Sequence, residues 1–369
     1  MTDADDDTPG FVTLDGYSVP SAEATGLLRS TWVRIRENLG WEKPRANLFE
    51  DLRSIDAESL DNLMARPRHD SLNRRLDSAI GRWLTDSRQP QTTQIIVYPP
   101  TNSGDFLRSW ASRHDLHVIP APERRTDLPS VSDTLDMISK PGLVVVPDLQ
   151  RYFLREVGGM EAVKTLLLTV AQSPYPAILG CNSWAWQFLI KAVNAHHLLP
   201  KALVPQAYSA ARLNSWLKSI SIDSGLPVHS LKTGGDIFAG KEPSVEVKQI
   251  AYRSRGVPWV AWELWRQSLF MRDGEGEKII WVDIQPEETL VDTDEKACLL
   301  ILHSLLIHGE LDKSELSRTL PRLDISSHVG MLVRQEWVKD ADGRLTVRGD
   351  AYPRVRNALA VANYPMDGL

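Results

Sequence analysis

The stretch QIIVYPPTNSGDFLRSW, residues Gln94–Trp110, decides how the fold of this chain is interpreted. It begins with a β-prone run, continues through a loop rich in Pro, Asn, Ser and Gly, and ends in an amphipathic segment that starts at Phe106. A strand, a tight loop and a helix in this order are typical of loops that bind phosphate at a helix N-terminus. The pattern therefore predicts a buried strand followed by a helix.

Most of the residues that would bind phosphate are missing from this loop. Aligned with the pattern G-x-x-x-x-G-K-[ST], the window keeps Gly104 only, and Pro99 stands in place of the first glycine. Asp105 replaces the lysine and Phe106 replaces the Ser or Thr that binds Mg²⁺. Proline has no N–H to donate and a carboxylate repels phosphate, so we expect the shape of such a loop without its chemistry.

Length and composition indicate a folded protein of two or three domains. The chain has 369 residues, of which 42% are hydrophobic and 24% charged, with a net charge of −6. This charge gives no overall basic surface for nucleic acid or anionic membranes. No apolar run reaches the roughly 18 residues of a membrane span, and the acidic N-terminus is unlike a signal peptide. We predict a cytoplasmic protein without a membrane span.

The cysteines and histidines do not form a recognisable metal motif. Cys181 and Cys298 both lie in apolar runs, as expected of buried reduced thiols. The pairs His196–His197 and His303/His308 have no further ligand at a metal-binding spacing. The sequence therefore predicts no metal site.

Five parts follow one another along the chain. Strands alternate with helices over more than 110 residues after Thr93, which predicts a doubly wound parallel α/β sheet. We assign an acidic flexible tail (1–20), an N-terminal helical extension (21–90), a degenerate α/β domain (91–220), a helical lid and connection (221–290), and a winged helix domain (291–369).

Two polar residues end buried strands of the predicted sheet. Asp148 ends the apolar run Gly142–Leu149, and Asn182 ends the next one. In ATPases that carry a phosphate-binding loop of this kind, an aspartate at the end of such a strand holds Mg²⁺. A carboxylate at a strand end is more often an ordinary structural residue, and asparagine is a common turn former. Both interpretations stay open for each residue.

In the order of these elements the chain resembles the AAA+ family of P-loop ATPases, over about residues 90 to 369. The resemblance rests on the strands that end at Val97, Asp148 and Asn182, and on a break at Gly256-Val-Pro258 similar to that of the family's helical lid. It implies a P-loop-NTPase-like sheet in which Gly104, Asp105, Asp148 and Asn182 are vestigial nucleotide-site positions. The family's ATP and Mg²⁺ are its implied cofactors, but the lost motifs favour no cofactor.

The last 75 residues predict a winged helix-turn-helix, which initiator-type AAA+ and STAND proteins also carry. Three helices precede a hairpin whose turn is Asp340-Ala-Asp-Gly343. The residues from Glu295 to Leu369 include ten Lys or Arg and ten Asp or Glu, so this region has no net charge. Candidate contacts to DNA or to a protein partner are Ser326, His328, Arg334, Lys339, Arg344 and Arg348.

Trp259, Trp262 and Trp265 recur three residues apart in a predicted helix. Tryptophan is enriched at binding hot spots, so this stripe is a candidate partner surface. Packing of the helix against its own domain is the alternative interpretation.

The leading functional hypothesis is a catalytically silent AAA+/STAND-like scaffold or regulatory subunit that acts through protein contacts of the lid and the winged helix. A protein partner or an oligomer is expected, and no small-molecule substrate. The first alternative is a DNA-binding regulator that uses the winged helix. The second is an active ATPase with an atypical phosphate loop.

Overall fold

The structure is a computed structural model that describes residues 10–20, 52–55, 59–61, 70–85, 92–100, 105–122, 125, 132, 135–222, 225–272, 279–284 and 295–369. Within these ranges, no helix combines the length and the apolar character needed to cross a membrane. Contacts divide the chain into two compact units, described separately below. The sheet unit consists of Met1–Tyr17, Arg68–Gln206 and Glu288–Leu369, and the insert unit of Ser18–Pro67 and Ala207–Glu287.

The strands and helices of both units are numbered in chain order. The strands are β1 (Phe11–Thr13), β2 (Leu52–Ser54), β3 (Thr93–Tyr98), β4 (His117–Val118), β5 (Val144–Val146), β6 (Ala177–Asn182), β7 (Leu203–Pro205), β8 (Val228–Ser230), β9 (Leu269–Arg272), β10 (Ile280–Val282), β11 (Leu311–Asp312), β12 (Val338–Ala341) and β13 (Arg344–Val347). The helices are α1 (Asp70–Thr85), α2 (Asp105–Arg113), α3 (Glu161–Gln172), α4 (Ser183–Val193), α5 (Ala195–Leu198), α6 (Ala210–Ile222), α7 (Val245–Arg253), α8 (Pro258–Gln267), α9 (Glu295–His308), α10 (Lys313–Thr319), α11 (Ile325–Arg334) and α12 (Tyr352–Val361).

The sheet unit is built on a sheet with the strand order β1-β7-β3-β6-β5-β4. The neighbouring strands from β7 through β3, β6 and β5 to β4 all pair in parallel, and β1 pairs with β7 in the antiparallel direction. The predicted parallel-dominated α/β sheet is thereby confirmed. Strands β3, β5 and β6 are buried at every residue, which is why each contains a continuous apolar run.

Gly180 allows the close approach of two segments within this sheet. A Cβ atom at this position would lie 2.3 Å from the carbonyl oxygen of Pro147 and 2.5 Å from Cδ1 of Leu107. Neither the rigid backbone nor the packed leucine can give way by that amount. A glycine in the middle of β6 is therefore required for the end of β5 and helix α2 to pack where they do.

The C-terminal segment (Glu295–Leu369) belongs to the sheet unit. It contains helices α9 to α12 and a three-stranded antiparallel sheet with the order β11-β13-β12. The turn between β12 and β13 has positive φ at Asp342 (52°) and Gly343 (81°), which matches a two-residue hairpin turn. The predicted Asp-Gly turn and the three predicted helices before it are confirmed.

The insert unit contains helices α6 to α8 and a four-stranded sheet with the order β2-β9-β10-β8. Helix α7 ends at Arg253 and α8 begins at Pro258, as the sequence predicts. Gly256, with φ of +71°, accepts a hydrogen bond from the N–H of Tyr208 at 2.8 Å. A Cβ there would lie 2.6 Å from the carbonyl oxygen of Tyr208, so the link between the helices also requires glycine.

Three sequence-based predictions about elements need correction. The tail predicted over 1–20 contributes β1, because Phe11 is buried in the core beside Leu76 and Ile96. The helical extension predicted over 21–90 includes β2, and the lid predicted as helical over 221–290 includes β8, β9 and β10. Each of these strands has only three or four residues, too short to leave a periodic signal in the sequence.

Candidate functional site

Strands β3, β5 and β6 end at the same edge of the sheet because they are parallel neighbours. Tyr98 pairs directly with Asn182 at the ends of β3 and β6, and Asp148 follows two residues after β5. All three side chains are buried. Ligands of open α/β sheets bind outside the carboxyl ends of the strands, so this edge is where a functional site is expected.

The carboxylate of Asp148 is held by three side chains of the same chain. Its Oδ1 accepts a hydrogen bond from the Tyr98 hydroxyl at 2.9 Å and another from Nε2 of Gln150 at 2.8 Å. Its Oδ2 forms an ion pair with Arg108. Arg108 also binds Asp105 at 3.0 Å, so one guanidinium bridges a buried and an exposed carboxylate. Both oxygens of Asp148 therefore have partners within the protein.

Burial dominates the electrostatics of this edge. It raises the pKa of Asp148 above its usual value, an effect that the nearby Arg108 cation opposes. The pKa of the Tyr98 phenol is raised well above its usual value, first by burial and then by the neighbouring Asp148. Tyr98 is therefore protonated at neutral pH and can donate its hydrogen bond to the carboxylate.

Asn182 acts as a helix cap at this edge. Its Oδ1 accepts a hydrogen bond from the N–H of Ala185 at 2.7 Å, which caps α4. Its Nδ2 donates to the carbonyl oxygen of Ile307 at 3.2 Å, and its own N–H donates to Gln150 at 3.1 Å. The side-chain amide of Asn182 is thus hydrogen-bonded to α4 through its oxygen and to the end of α9 through its nitrogen.

The polar side chains at this edge already have partners within the protein. Both oxygens of Asp148 accept bonds, from Tyr98, Gln150 and Arg108, so a Mg²⁺ ion bound to this carboxylate would compete with those donors. The amide of Asn182 is likewise engaged. Gly104 lies outside the described residues, and Asp105 is the first residue of α2, where its exposed carboxylate pairs with Arg108. Among the described residues, no cluster of three or more His, Cys, Asp or Glu is arranged to hold a metal ion.

The C-terminal segment packs directly against this edge. The carbonyl of Ile307, at the end of α9, receives the Asn182 amide, and Arg151 pairs with Glu310 just beyond it. The ring of His308 lies 4.9 Å from that of Phe153, and its Nε2 accepts the N–H of Arg155 at 3.4 Å. The region predicted as a winged helix domain of its own is therefore attached at the carboxyl edge of the sheet.

The chain end adds a second attachment to helix α4. Ser183 donates to Oδ2 of Asp367 at 2.5 Å, and Arg356 pairs with the same carboxylate. The indole of Trp184 donates to the hydroxyl of Tyr352 at 3.3 Å. All five of these side chains are buried, so the attachment is part of the core of the sheet unit.

The tryptophan stripe in α8 needs correction. Trp262 is 3% exposed and Trp265 is 0% exposed, and both belong to the hydrophobic core of the insert unit. Trp259 is only half-buried. The first two cannot reach a partner from the folded unit, so the alternative of packing within their own domain holds for them. Helical i, i+3 spacing identifies a buried face as readily as a binding face.

The candidate contacts on α11 and the β12–β13 hairpin differ in their surroundings. Ser326, Arg334 and Lys339 are exposed, and His328 is half-buried. Arg344 binds Glu315 at 3.0 Å and lies 3.8 Å from Asp312. Arg348 binds Asp350 at 3.0 Å and lies 3.6 Å from Glu336. Carboxylates therefore neutralise both hairpin arginines.

Sequence reasoning missed the partners of Asp148. Tyr98, Arg108 and Gln150 complete the network, and none of them belongs to a known motif. The signal that was present in the sequence is modest: Tyr98 ends a buried strand next to the loop, and Arg108 lies one helical turn after Asp105. Arg125, which joins this edge to the C-terminal segment, carried no sequence signal.

Comparison with solved structures finds distant similarity to RuvB from Thermotoga maritima, described as a Holliday junction branch migration motor (14% identity, covering 83% of this chain and 97% of that one, TM-score 0.35). ORC2 from Aeropyrum pernix (11%, 80% and 95%, 0.34) and Cdc6p from Pyrobaculum aerophilum (12%, 84% and 99%, 0.30) are similar to the same degree. No protein-family model matches the chain, and neither does a curated protein sequence. At these identities the similarity assigns no activity to this chain.

Proposed function

We propose that this chain is a catalytically silent AAA+/STAND-like protein that acts as a scaffold or regulatory subunit. The observation that carries the proposal is the set of partners of Asp148. A carboxylate bound by Arg108, Tyr98 and Gln150 is a structural group, and a metal ion would have to displace an arginine and two hydrogen bonds. The chain thereby keeps the sheet edge of an ATPase and uses it for internal contacts.

Calorimetry with Mg·ATP tests the silent site. We expect no binding at micromolar nucleotide and no steady ATP turnover. Micromolar binding that is lost on Asp148→Asn or Gly104→Ala, but kept on Asp342→Asn in the exposed hairpin turn, would overturn the proposal. Turnover abolished by Asp148→Ala or Asn182→Ala would establish the active-ATPase alternative instead.

Protein contacts, rather than DNA contacts, are the proposed role of the C-terminal segment as a winged helix. Its ten basic and ten acidic residues cancel. The hairpin arginines Arg344 and Arg348 already pair with carboxylates. Proteins that bind DNA usually present an unneutralised basic face, because counterion release supplies much of their affinity.

DNA binding is the second candidate, favoured by the exposed polar face of α11. Ser326, Arg334 and Lys339 are exposed there and on the adjoining strand β12. Fluorescence anisotropy with duplex DNA tests this candidate. A DNA-binding role requires an affinity that falls steeply with salt and is lost on Arg334→Gln with Lys339→Gln. Lys191→Gln, at an exposed position of α4, is the control. Absent or salt-insensitive binding at low ionic strength excludes it.

A further inference from the structure

A buried arginine joins the sheet edge to the C-terminal segment. The side chain of Arg125 is 2% exposed. It donates to the carbonyl oxygens of Gln150 at 2.6 Å and His308 at 3.4 Å, to that of Glu310, and to Oε1 of Glu315 at 3.2 Å. The donors of one planar guanidinium thus reach the segment that follows β5, the end of α9 and the start of α10.

Glu315 extends this contact to the hairpin. Its Oε1 binds Arg125, while its Oε2 accepts bonds from the backbone N–H of Asp312 and from Arg344, each at 3.0 Å. The carboxylate is 11% exposed. Two arginines from different parts of the chain therefore share one carboxylate that also caps helix α10.

The surroundings of Arg125 specify one docked arrangement. Burial lowers its pKa from the usual value to about 10, an effect that Glu315 opposes, so it stays charged at neutral pH. A buried ion pair adds little net stability over apolar packing, but a charge left buried without its partners is costly. Any docking that moved the carbonyls of Gln150 and His308 away from Arg125 would incur that cost.

We propose that Arg125 and Glu315 form a permanent internal clasp that holds the C-terminal segment across the carboxyl edge of the sheet without a nucleotide. Because Arg344 also binds Glu315, the clasp includes the β12–β13 hairpin. The segment that presents α11 and the hairpin to a partner is therefore fixed by the protein itself. Only the claim that the clasp needs no nucleotide rests on the proposed function.

Hydrogen exchange measured by mass spectrometry on the full chain tests the clasp. With Arg125→Gln, we expect exchange in α9, β11 and the hairpin to rise roughly 100-fold or more, because a buried charge pair is broken, while β3 and β6 stay protected. The matched control is Arg318→Gln. Arg318 also connects to this part of the chain, through Glu156 at 2.9 Å, but it is 48% exposed, so a change of no more than about fivefold is expected.

Three outcomes would overturn the clasp: unchanged exchange in Arg125→Gln, an equal rise in β3 and β6, or an effect of Arg318→Gln as large as that of Arg125→Gln. If Arg125→Gln does not fold, wild-type exchange decides. Protection of α9 within about tenfold of that of β3 supports the clasp, and exchange more than about 100-fold faster in α9 contradicts it. Addition of Mg·ATP separates the two proposals, because protection gained at Gly104–Asp105 alone would contradict the silent site and leave the clasp intact.

Discussion

Asp148 and Asp105 both bind Arg108, yet they differ greatly in exposure, 3% against 63% of the side chain. We expect Asp148→Asn to lower the free energy of unfolding by about 2 kcal/mol, because it removes a buried charged acceptor from three donors. Asp105→Asn removes a solvent-exposed partner of the same arginine and should cost under about 0.5 kcal/mol. Urea unfolding of both variants and the wild type measures the two changes.

The sign of the Asp148→Asn result separates two kinds of site. A buried carboxylate kept free for a metal ion destabilises the metal-free protein, so its replacement by asparagine would raise the free energy of unfolding. A rise would therefore contradict the network of Tyr98, Gln150 and Arg108 as the role of Asp148.

The positions of Asp148 and Asn182 were predictable from sequence, but their chemistry was not. Continuous apolar runs place both residues at strand ends, and the parallel sheet brings those ends together. The partners that decide their roles come from distant parts of the chain: Tyr98 lies 50 residues before Asp148, and Ile307 lies 125 residues after Asn182. No local pattern specifies such pairs.

Helix α9 carries two buried histidines, which should make the sheet unit sensitive to acid. The pKa of His303 is lowered to about 4, first by burial and then by the Arg155 cation, and burial lowers the pKa of His308 well below its usual value. The folded state therefore binds fewer protons than the unfolded state between about pH 4 and 6.5. Stability that is fully present above pH 6.5 should be lost as the pH falls toward 4, by up to about 3 kcal/mol for His303.

Replacement of His303 by phenylalanine isolates this contribution. The ring of His303 lies 5.1 Å from Tyr364 and 5.7 Å from Trp184, surroundings that suit an aromatic side chain. Urea unfolding from pH 7 to pH 4.5 should show a smaller loss of stability in His303→Phe than in the wild type. His196→Gln, at an exposed histidine, should follow the wild type. Equal pH dependence in all three proteins would rule out a neutral buried His303.

Local elements were the part of the fold that sequence predicted well. Helices α9 to α11 and the hairpin form within 75 residues, and their signals are amphipathic spacing and an Asp-Gly turn. Strands β1 and β2 form only by pairing with β7 and β9, about 190 and 220 residues away. A three-residue strand has no pattern of its own, so its existence depends on a partner that sequence does not identify.

At the scale of the whole molecule, the two units have separate hydrophobic cores. Trp265, with 0% exposure, lies in the core of the insert unit, where its ring is 5.9 Å from that of Phe238. Trp265→Ala should destabilise this unit by about 3–5 kcal/mol, the usual cost of a large-to-small change in a core. Because the sheet unit has its own core, exchange should rise in α6–α8, β9 and β10 while β3 and β6 keep their protection.

Hydrogen exchange by mass spectrometry measures both regions in one experiment, and Tyr252→Ala, at an exposed aromatic residue in α7, is the control. An equal rise in β3 and β6 would mean that the units unfold as one, since a cavity in one core would then be felt throughout the chain.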